Sequence, residues 1–167
     1  MIKKILIATA LLSGVTNANV YDNLEVNRWD GSRDAAITRH AVSETGIDLY
    51  VYVLIAEIGI SKSDNQNLYF YEYRINNGET LKVCEENDDL DNEVWNFNGT
   101  NVKMLSLCDA RDNTAYYTAE TNTGKAHVVK LFKAATKSVK IKTQQRTTEV
   151  SSQGFTKLWN AHGGNAI

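Results

Sequence analysis

The sequence contains no proline and only two cysteines, and it lacks the short motifs that mark the common enzyme classes. Without proline, it has no proline-rich linker. It has no G-x-S-x-G, H-E-x-x-H, P-loop or G-x-G-x-x-G pattern, and no two histidines are spaced as metal ligands. These absences argue against a common hydrolase, metalloprotease or nucleotide-binding protein. We therefore predict no cofactor and no metal site.

The charge balance and the hydrophobic runs are also limited. The formal net charge of the 167 residues is −2, and this mild acidity argues against nucleic acid or an anionic membrane surface as partner. No segment approaches the roughly 20 apolar residues that a membrane-spanning helix needs. We therefore expect no stable insertion into a membrane.

The N-terminal segment is typical of a secretory signal peptide. Lys3 and Lys4 come directly before the apolar run 5–12, and small and polar residues follow as far as Ala18. A buried N-terminal strand or helix is the alternative, but lysines placed directly before a short apolar run favour the signal. We predict a cleavable signal peptide over residues 1–18.

Cleavage after this segment leaves residues 19–167, a length typical of one domain. We expect this single β-rich domain to be exported, either to the periplasm or to the extracellular space. Cys84 and Cys108 are its two cysteines, and an isolated pair in an oxidising compartment favours a disulfide over a metal site. A redox-active pair is the alternative, but the C-x-x-C spacing is missing.

Short β-rich runs separated by turn residues fill most of the domain. Asn-Gly pairs at 77–78 and 98–99 accept the positive φ angles of tight hairpins. The predicted strands are 47–55, 68–75, 80–84, 94–97, 100–108, 115–119, 126–132 and 138–143. Several short strands with turns between them indicate a mainly β fold, an antiparallel β-sandwich or barrel built from hairpins.

The C-terminal segment is predicted to form a short α-helix. Ser151 or Ser152 is placed to cap its start, and Gly163 is placed to end it in left-handed geometry. Its large apolar side chains recur at helical spacing, so we expect this face to pack on the sheet. The residues of this face are Phe155, Leu158 and Trp159.

Residues 34–44 leave two alternatives open, in structure and in function. They fit a helix that Ser32 caps or a strand, and the short turn that follows favours the strand. The same segment contains His40, which lies near carboxylates in the sequence. A His/carboxylate acid–base pair would make the chain a small secreted hydrolase. Nothing nearby supplies a matched nucleophile, so we prefer a polar surface histidine.

The acidic stretch 85–93 is the most distinctive local feature. Its carboxylates include Glu85, Glu86, Asp88, Asp89 and Asp91. The stretch lacks the D-x-[DN]-x-[DN]-G pattern and the glycine turn of a calcium loop. We interpret it as a solvated loop, tethered by the predicted disulfide, that can meet a basic protein surface.

A row of tyrosines is the other candidate for partner binding. Tyr69, Tyr71 and Tyr73 alternate along one predicted strand and therefore share a face. Such a row can bind sugars, bases or protein, although it more often borders a β core. From size, compartment and these two features we expect a binding protein, for example an inhibitor or immunity-type protein. Its expected partner is another protein or a component of the cell envelope.

Overall fold

The computed structural model describes most of the chain beyond residue 28. The described residues are 29, 35–43, 49–61, 63–76, 79–81, 84, 92–109, 114–144 and 146–162, with the backbone alone for 35–43, 49–51, 79–80 and 109. The predicted signal peptide and the predicted start of the mature chain lie outside these residues.

Within the described residues, nine strands form one sheet and two helices accompany it. The strands are β1 (Ala35–Ser43), β2 (Leu49–Ile60), β3 (Gln66–Asn76), β4 (Glu79–Leu81), β5 (Glu93–Phe97), β6 (Thr100–Asp109), β7 (Thr114–Ala119), β8 (Ser138–Lys142) and β9 (Thr147–Ser151). The helices are α1 (Asn122–Ala134), between β7 and β8, and α2 (Phe155–Ala161), after β9.

The sheet curls into a nearly closed antiparallel barrel. Its strand order is β1-β2-β3-β7-β6-β5-β8-β9, and each neighbouring pair is antiparallel. β4 pairs with β3 beyond the end of β7. β1 and β9 stand at the two ends of this order and contact each other. The predicted mainly β fold with an antiparallel barrel and a short C-terminal helix is confirmed.

Two local predictions about strands and turns are confirmed. Residues 34–44 contain a strand, β1, which pairs with β2 over its whole length. The pair Asn98-Gly99 joins β5 to β6 with φ angles of 48° and 94°, the left-handed values that this two-residue turn requires. The other Asn-Gly pair, 77–78, lies outside the described residues, although the strands on either side of it pair as a hairpin.

Alternation along each strand decides which side chains enter the barrel. In β3, Leu68 and Phe70 are buried, whereas Tyr71 on the opposite face is half-buried. In β8, which lies within the predicted strand 138–143, Val139 and Ile141 are fully buried and the lysines that alternate with them are exposed. The period of two therefore sets one apolar face on each strand, and closing the sheet brings these faces together.

A cluster of aromatic rings fills the space between the sheet and α1. Phe70 lies at its centre, with ring centroids 5.6 Å from Trp95, 5.6 Å from Phe97 and 6.4 Å from Phe132. All four side chains are almost fully buried. Burying a large apolar side chain stabilises a fold by about 1.5–3 kcal/mol, so this cluster is a major source of stability.

The prediction of a strand over 126–132 is wrong, because this segment belongs to helix α1. Val128 and Phe132, four residues apart, are buried on one side of the helix, a periodicity that the β-branched residues hide. Thr121 is the N-cap of this helix, and its side chain accepts a hydrogen bond from the backbone N–H of Gly124 in the first turn. Packing on the sheet overrides the local preference. His127 therefore lies on a helix and not in a strand.

The cap predicted for the C-terminal helix is also wrong. β9 ends at Ser151, and the N-cap of α2 is Gly154, which has a φ of 90°. A side chain at this glycine would be strained by that φ, and its Cβ would lie 3.2 Å from the carbonyl oxygen of Trp29. The helix is consequently shorter than predicted. Its predicted end at Gly163 lies outside the described residues.

The packing of α2 agrees with the prediction. Phe155 is fully buried, and Leu158 and Trp159 pack against the core. The Trp29 ring meets the Phe155 ring edge to face at 4.9 Å, and its indole Nε1 donates to the Ser151 carbonyl at 2.6 Å. This contact ties an N-terminal residue to the C-terminal elements.

Candidate functional site

The barrel has two chemically different ends, and β3 runs between them. Near the start of β3, Gln66 and Leu68 border a cavity. Near its end, Glu72 and Arg74 belong to a charged cluster. At about 3.4 Å per residue, Gln66 and Glu72 are about 20 Å apart along the strand. Each end is therefore a separate candidate site.

The charged cluster is centred on Glu72, whose side chain is only 9 % exposed. Arg146 Nε lies 3.4 Å from Glu72 Oε1. The guanidinium carbon of Arg146 also lies 3.1 Å from the centroid of the Tyr52 ring, and that of Arg74 lies 5.6 Å from the same centroid. Guanidinium groups over an aromatic face make cation–π interactions. A buried carboxylate is thus surrounded by two arginines and one aromatic ring.

Burial perturbs the acid groups of this cluster. It raises the pKa of the Glu72 carboxyl above its usual range, and the two arginines oppose that shift without cancelling it. Burial, followed by the charges of Glu72 and Glu93, raises the pKa of the Tyr117 phenol well above its usual range. Perturbed groups of this kind occur both at functional sites and in structural ion pairs.

The space beside the cluster decides between these two roles. The gap next to Glu72 and Arg146 has a volume of about 10 Å³, which is the smallest space that holds one water molecule. Among the described residues, a gap of this size does not admit an organic ligand. We therefore interpret the cluster as a buried ion pair that seals this end of the barrel.

The other end holds a cavity of about 380 Å³, bounded by α1, α2 and strands β3 and β7. This volume lies within the range of about 300–1,000 Å³ that is typical of ligand pockets. Apolar side chains form much of its wall. They are Leu68, Phe70, Val128, Val129 and Trp159.

Polar groups complete the wall of this cavity. Side-chain amides, one hydroxyl and one ammonium group line it, and they belong to Asn65, Gln66, Asn67, Asn122, Thr118 and Lys125. Lys125 is the one ionisable side chain among the described residues that line the cavity. An apolar wall with a few polar groups is the usual composition of a small-molecule site.

Gly124 helps to place α1 over this cavity. A Cβ at this position would lie 3.1 Å from Val102 Cγ1 and 3.4 Å from the Cβ of Ala119. Glycine therefore allows the first turn of α1 to approach β6 and β7 closely. This approach brings Lys125 and Ala126, the next residues of the helix, to the cavity wall.

Gln66 is held in one orientation at the cavity wall. Its Nε2 donates a hydrogen bond of 2.8 Å to the carbonyl oxygen of Trp159. Its Oε1 is buried and has no hydrogen-bond partner within the part of the chain that the structure describes. A buried acceptor without a donor costs about 1–3 kcal/mol, and because this oxygen is almost wholly shielded by neighbouring atoms, it is not part of the accessible wall.

The predicted tyrosine row is real, but its rings pack on neighbouring side chains. Tyr71 stacks on Tyr116 of β7 with centroids 5.6 Å apart, and Tyr69 meets the same ring edge to face at 6.1 Å. Tyr69 also covers Gly59, where an added Cβ would lie 3.0 Å from the ring. Tyr73 is half-buried on the same face. Partner binding by these tyrosines stays a prediction.

Among the other residues singled out from the sequence, the predicted disulfide is confirmed, and the predicted roles of the acidic stretch and of His40 stay untested. Cys84 and Cys108 form a disulfide, with Cα atoms 6.0 Å apart. The acidic residues at 85–91 lie outside the described residues, so their contact with a partner stays a prediction. His40 lies in β1, where only the backbone is described, and its pairing with a carboxylate also stays a prediction.

Among the described residues, no three or more His, Cys, Asp or Glu side chains are grouped so that they could hold a metal ion. No helix in the same part of the chain has the length and apolar character needed to cross a membrane. The chain matches no protein-family model, no curated protein and no solved structure.

Proposed function

We propose that this chain is an exported binding protein that holds a small ligand in the cavity between α1 and β3. The observation that carries the proposal is the cavity itself, about 380 Å³ with apolar walls and a few polar groups. Such a cavity is the default binding site in a structure without other evidence of function. The mouth of a β-barrel is a common place for it.

The side chains at the cavity support binding in preference to catalysis. General acid–base catalysis most often uses a histidine or a carboxylate within hydrogen-bond reach of the substrate. The described cavity wall offers amides, a hydroxyl and an ammonium group, which orient and hold a ligand. The buried carboxylate of Glu72 lies at the sealed end, about 20 Å away.

The disulfide supports the export part of the proposal. Disulfides persist in oxidising compartments such as the periplasm and the extracellular space. The bond between Cys84 and Cys108 therefore fits the basic and apolar N-terminal pattern that predicts a signal peptide.

Blocking the cavity tests this function. Ala126 lines the cavity, whereas Ala134 is an exposed alanine on the same helix outside it. We would screen a mixed set of small neutral, anionic and cationic organic molecules by ligand-observed NMR against the wild type, Ala126→Phe and Ala134→Phe. We expect binding to the wild type and to Ala134→Phe, and its loss in Ala126→Phe. No binding to any of the three, or equal binding to both variants, would contradict the proposal.

A further inference from the structure

We infer that the ligand of this cavity is a small organic acid with an aromatic or apolar body. The inference rests on the proposed function and adds to it the chemical class of the ligand. Two observations carry it: the charge of the wall, and the size and apolar surface of the cavity.

The charge of the wall selects an anion. Lys125 is half-buried and is the one ionisable side chain among the described lining residues, so no described carboxylate of the wall neutralises it. Asn122, the first residue of α1, also lines the cavity. The positive end of the helix dipole therefore lies beside the same wall, and the first turn contains no acidic residue. A carboxylate at this place gains from both charges, whereas an ammonium ion is repelled.

The size and the apolar wall fix the rest of the ligand. A cavity of about 380 Å³ is near the lower end of the range for ligand pockets. It suits a single small molecule rather than a folded segment. The lining residues include Phe70 and Trp159, and aromatic rings pack favourably against other rings. An aromatic acid of the size of one or two fused rings meets both conditions.

Three matched probes test this class with the purified mature protein. Indole-3-acetate has the acid and the ring, indole-3-acetamide removes the charge, and tryptamine reverses it. By titration followed by NMR or calorimetry we expect indole-3-acetate to bind best. We expect the amide to bind about tenfold more weakly, with tryptamine the weakest.

Two variants assign the charge preference to a single side chain. In Lys125→Met the preference for the acid over the amide should fall to about one, whereas Lys130→Met, which removes an exposed lysine of the same helix, should keep it. If Lys125→Met fails to fold, the ratios among the three probes in the wild type still decide.

The results of these titrations can contradict the organic acid without contradicting the cavity as a binding site. Equal binding of the acid and the amide, with binding still lost in Ala126→Phe, would overturn the organic acid and leave the cavity as the binding site. Preference for tryptamine would do the same. If none of the probes binds and the wider screen also finds nothing, both fail.

Discussion

Removing Arg146 should destabilise the protein, because it leaves the Glu72 carboxylate buried without its nearest cation. The two charges lie 3.4 Å apart, and their side chains are 12 % and 9 % exposed. At an effective dielectric constant of about 20, their attraction is about 5 kcal/mol. Breaking one side of a buried ion pair typically costs about 3–5 kcal/mol. Arg146→Met keeps the aliphatic length of the side chain, and we expect a loss of about 3–5 kcal/mol in the free energy of unfolding near pH 8.

The loss should depend on pH in a definite direction. Burial already raises the folded-state pKa of Glu72 above its unfolded value, and removing Arg146 raises it further because an opposing positive charge is gone. The folded state then binds more protons than the unfolded state between these two values. Stability is therefore present below the unfolded pKa and is lost as pH rises through the folded pKa. Arg146→Met should cost less at pH 5 than at pH 8.

Urea unfolding of three variants measures this effect. Arg146→Met is compared with Glu72→Gln/Arg146→Met, in which no charge of the pair remains, and with Lys142→Met, an exposed lysine nearby. We expect the double variant to recover most of the lost stability and to lose the pH dependence, and Lys142→Met to change stability by less than about 0.5 kcal/mol. A pH-independent loss in Arg146→Met, or a double variant less stable than the single one, would refute this account.

Two further predictions concern the disulfide and export. The cysteines are separated by 24 positions, and in the chain-entropy description a disulfide that closes a loop of this length stabilises the fold by about 3.5 kcal/mol. Cys84→Ala and Cys108→Ala should each lower the free energy of unfolding by about 2–5 kcal/mol. The double variant should lower it by little more than either single variant. A thiol titration of the unfolded, unreduced protein that finds two free thiols would contradict the bond in solution. Mass spectrometry of protein purified from the expressing cells should find a mature chain that begins at or near Asn19, and a chain that retains Met1 would overturn the export prediction.

The sequence predicts the strands well where one face is apolar and the other polar. In β8 the alternation of Val139 and Ile141 with lysines is unambiguous, and the structure confirms it. Helix α1 is missed because β-branched residues resemble a strand locally. The burial of Val128 and Phe132 depends on the sheet beneath them, which no short window of sequence contains.

The tyrosine row shows a different limit of local reasoning. The alternation in β3 correctly places Tyr69, Tyr71 and Tyr73 on one face. It does not reveal that the opposite face, with Glu72 on it, is the interior. A glutamate between tyrosines looks like a surface residue, and only the folded chain brings Arg146 to it. The charge that permits its burial is more than seventy positions away in the sequence.

The cavity could not be predicted at all, because its wall comes from four separate elements. Gln66 belongs to β3, Thr118 to β7, Lys125 to α1 and Trp159 to α2. None of them lies in a motif with fixed spacing. A site of this kind depends on tertiary packing alone, so the signal that identifies it is geometric: a cavity with a single ionisable side chain among its described lining residues.

The two barrel ends place a buried ion pair and a cavity far apart. Among the described residues, the charged pair has a gap of only about 10 Å³ beside it, and the other end holds about 380 Å³ with a single described charge in its wall. Sites more than about 10 Å apart that share no partners usually act independently, and Gln66 and Glu72 are about 20 Å apart along β3. Changes at Arg146 should therefore alter stability and leave the ratios among ligands unchanged. Changes at Lys125 should alter those ratios and leave the pH dependence of unfolding unchanged.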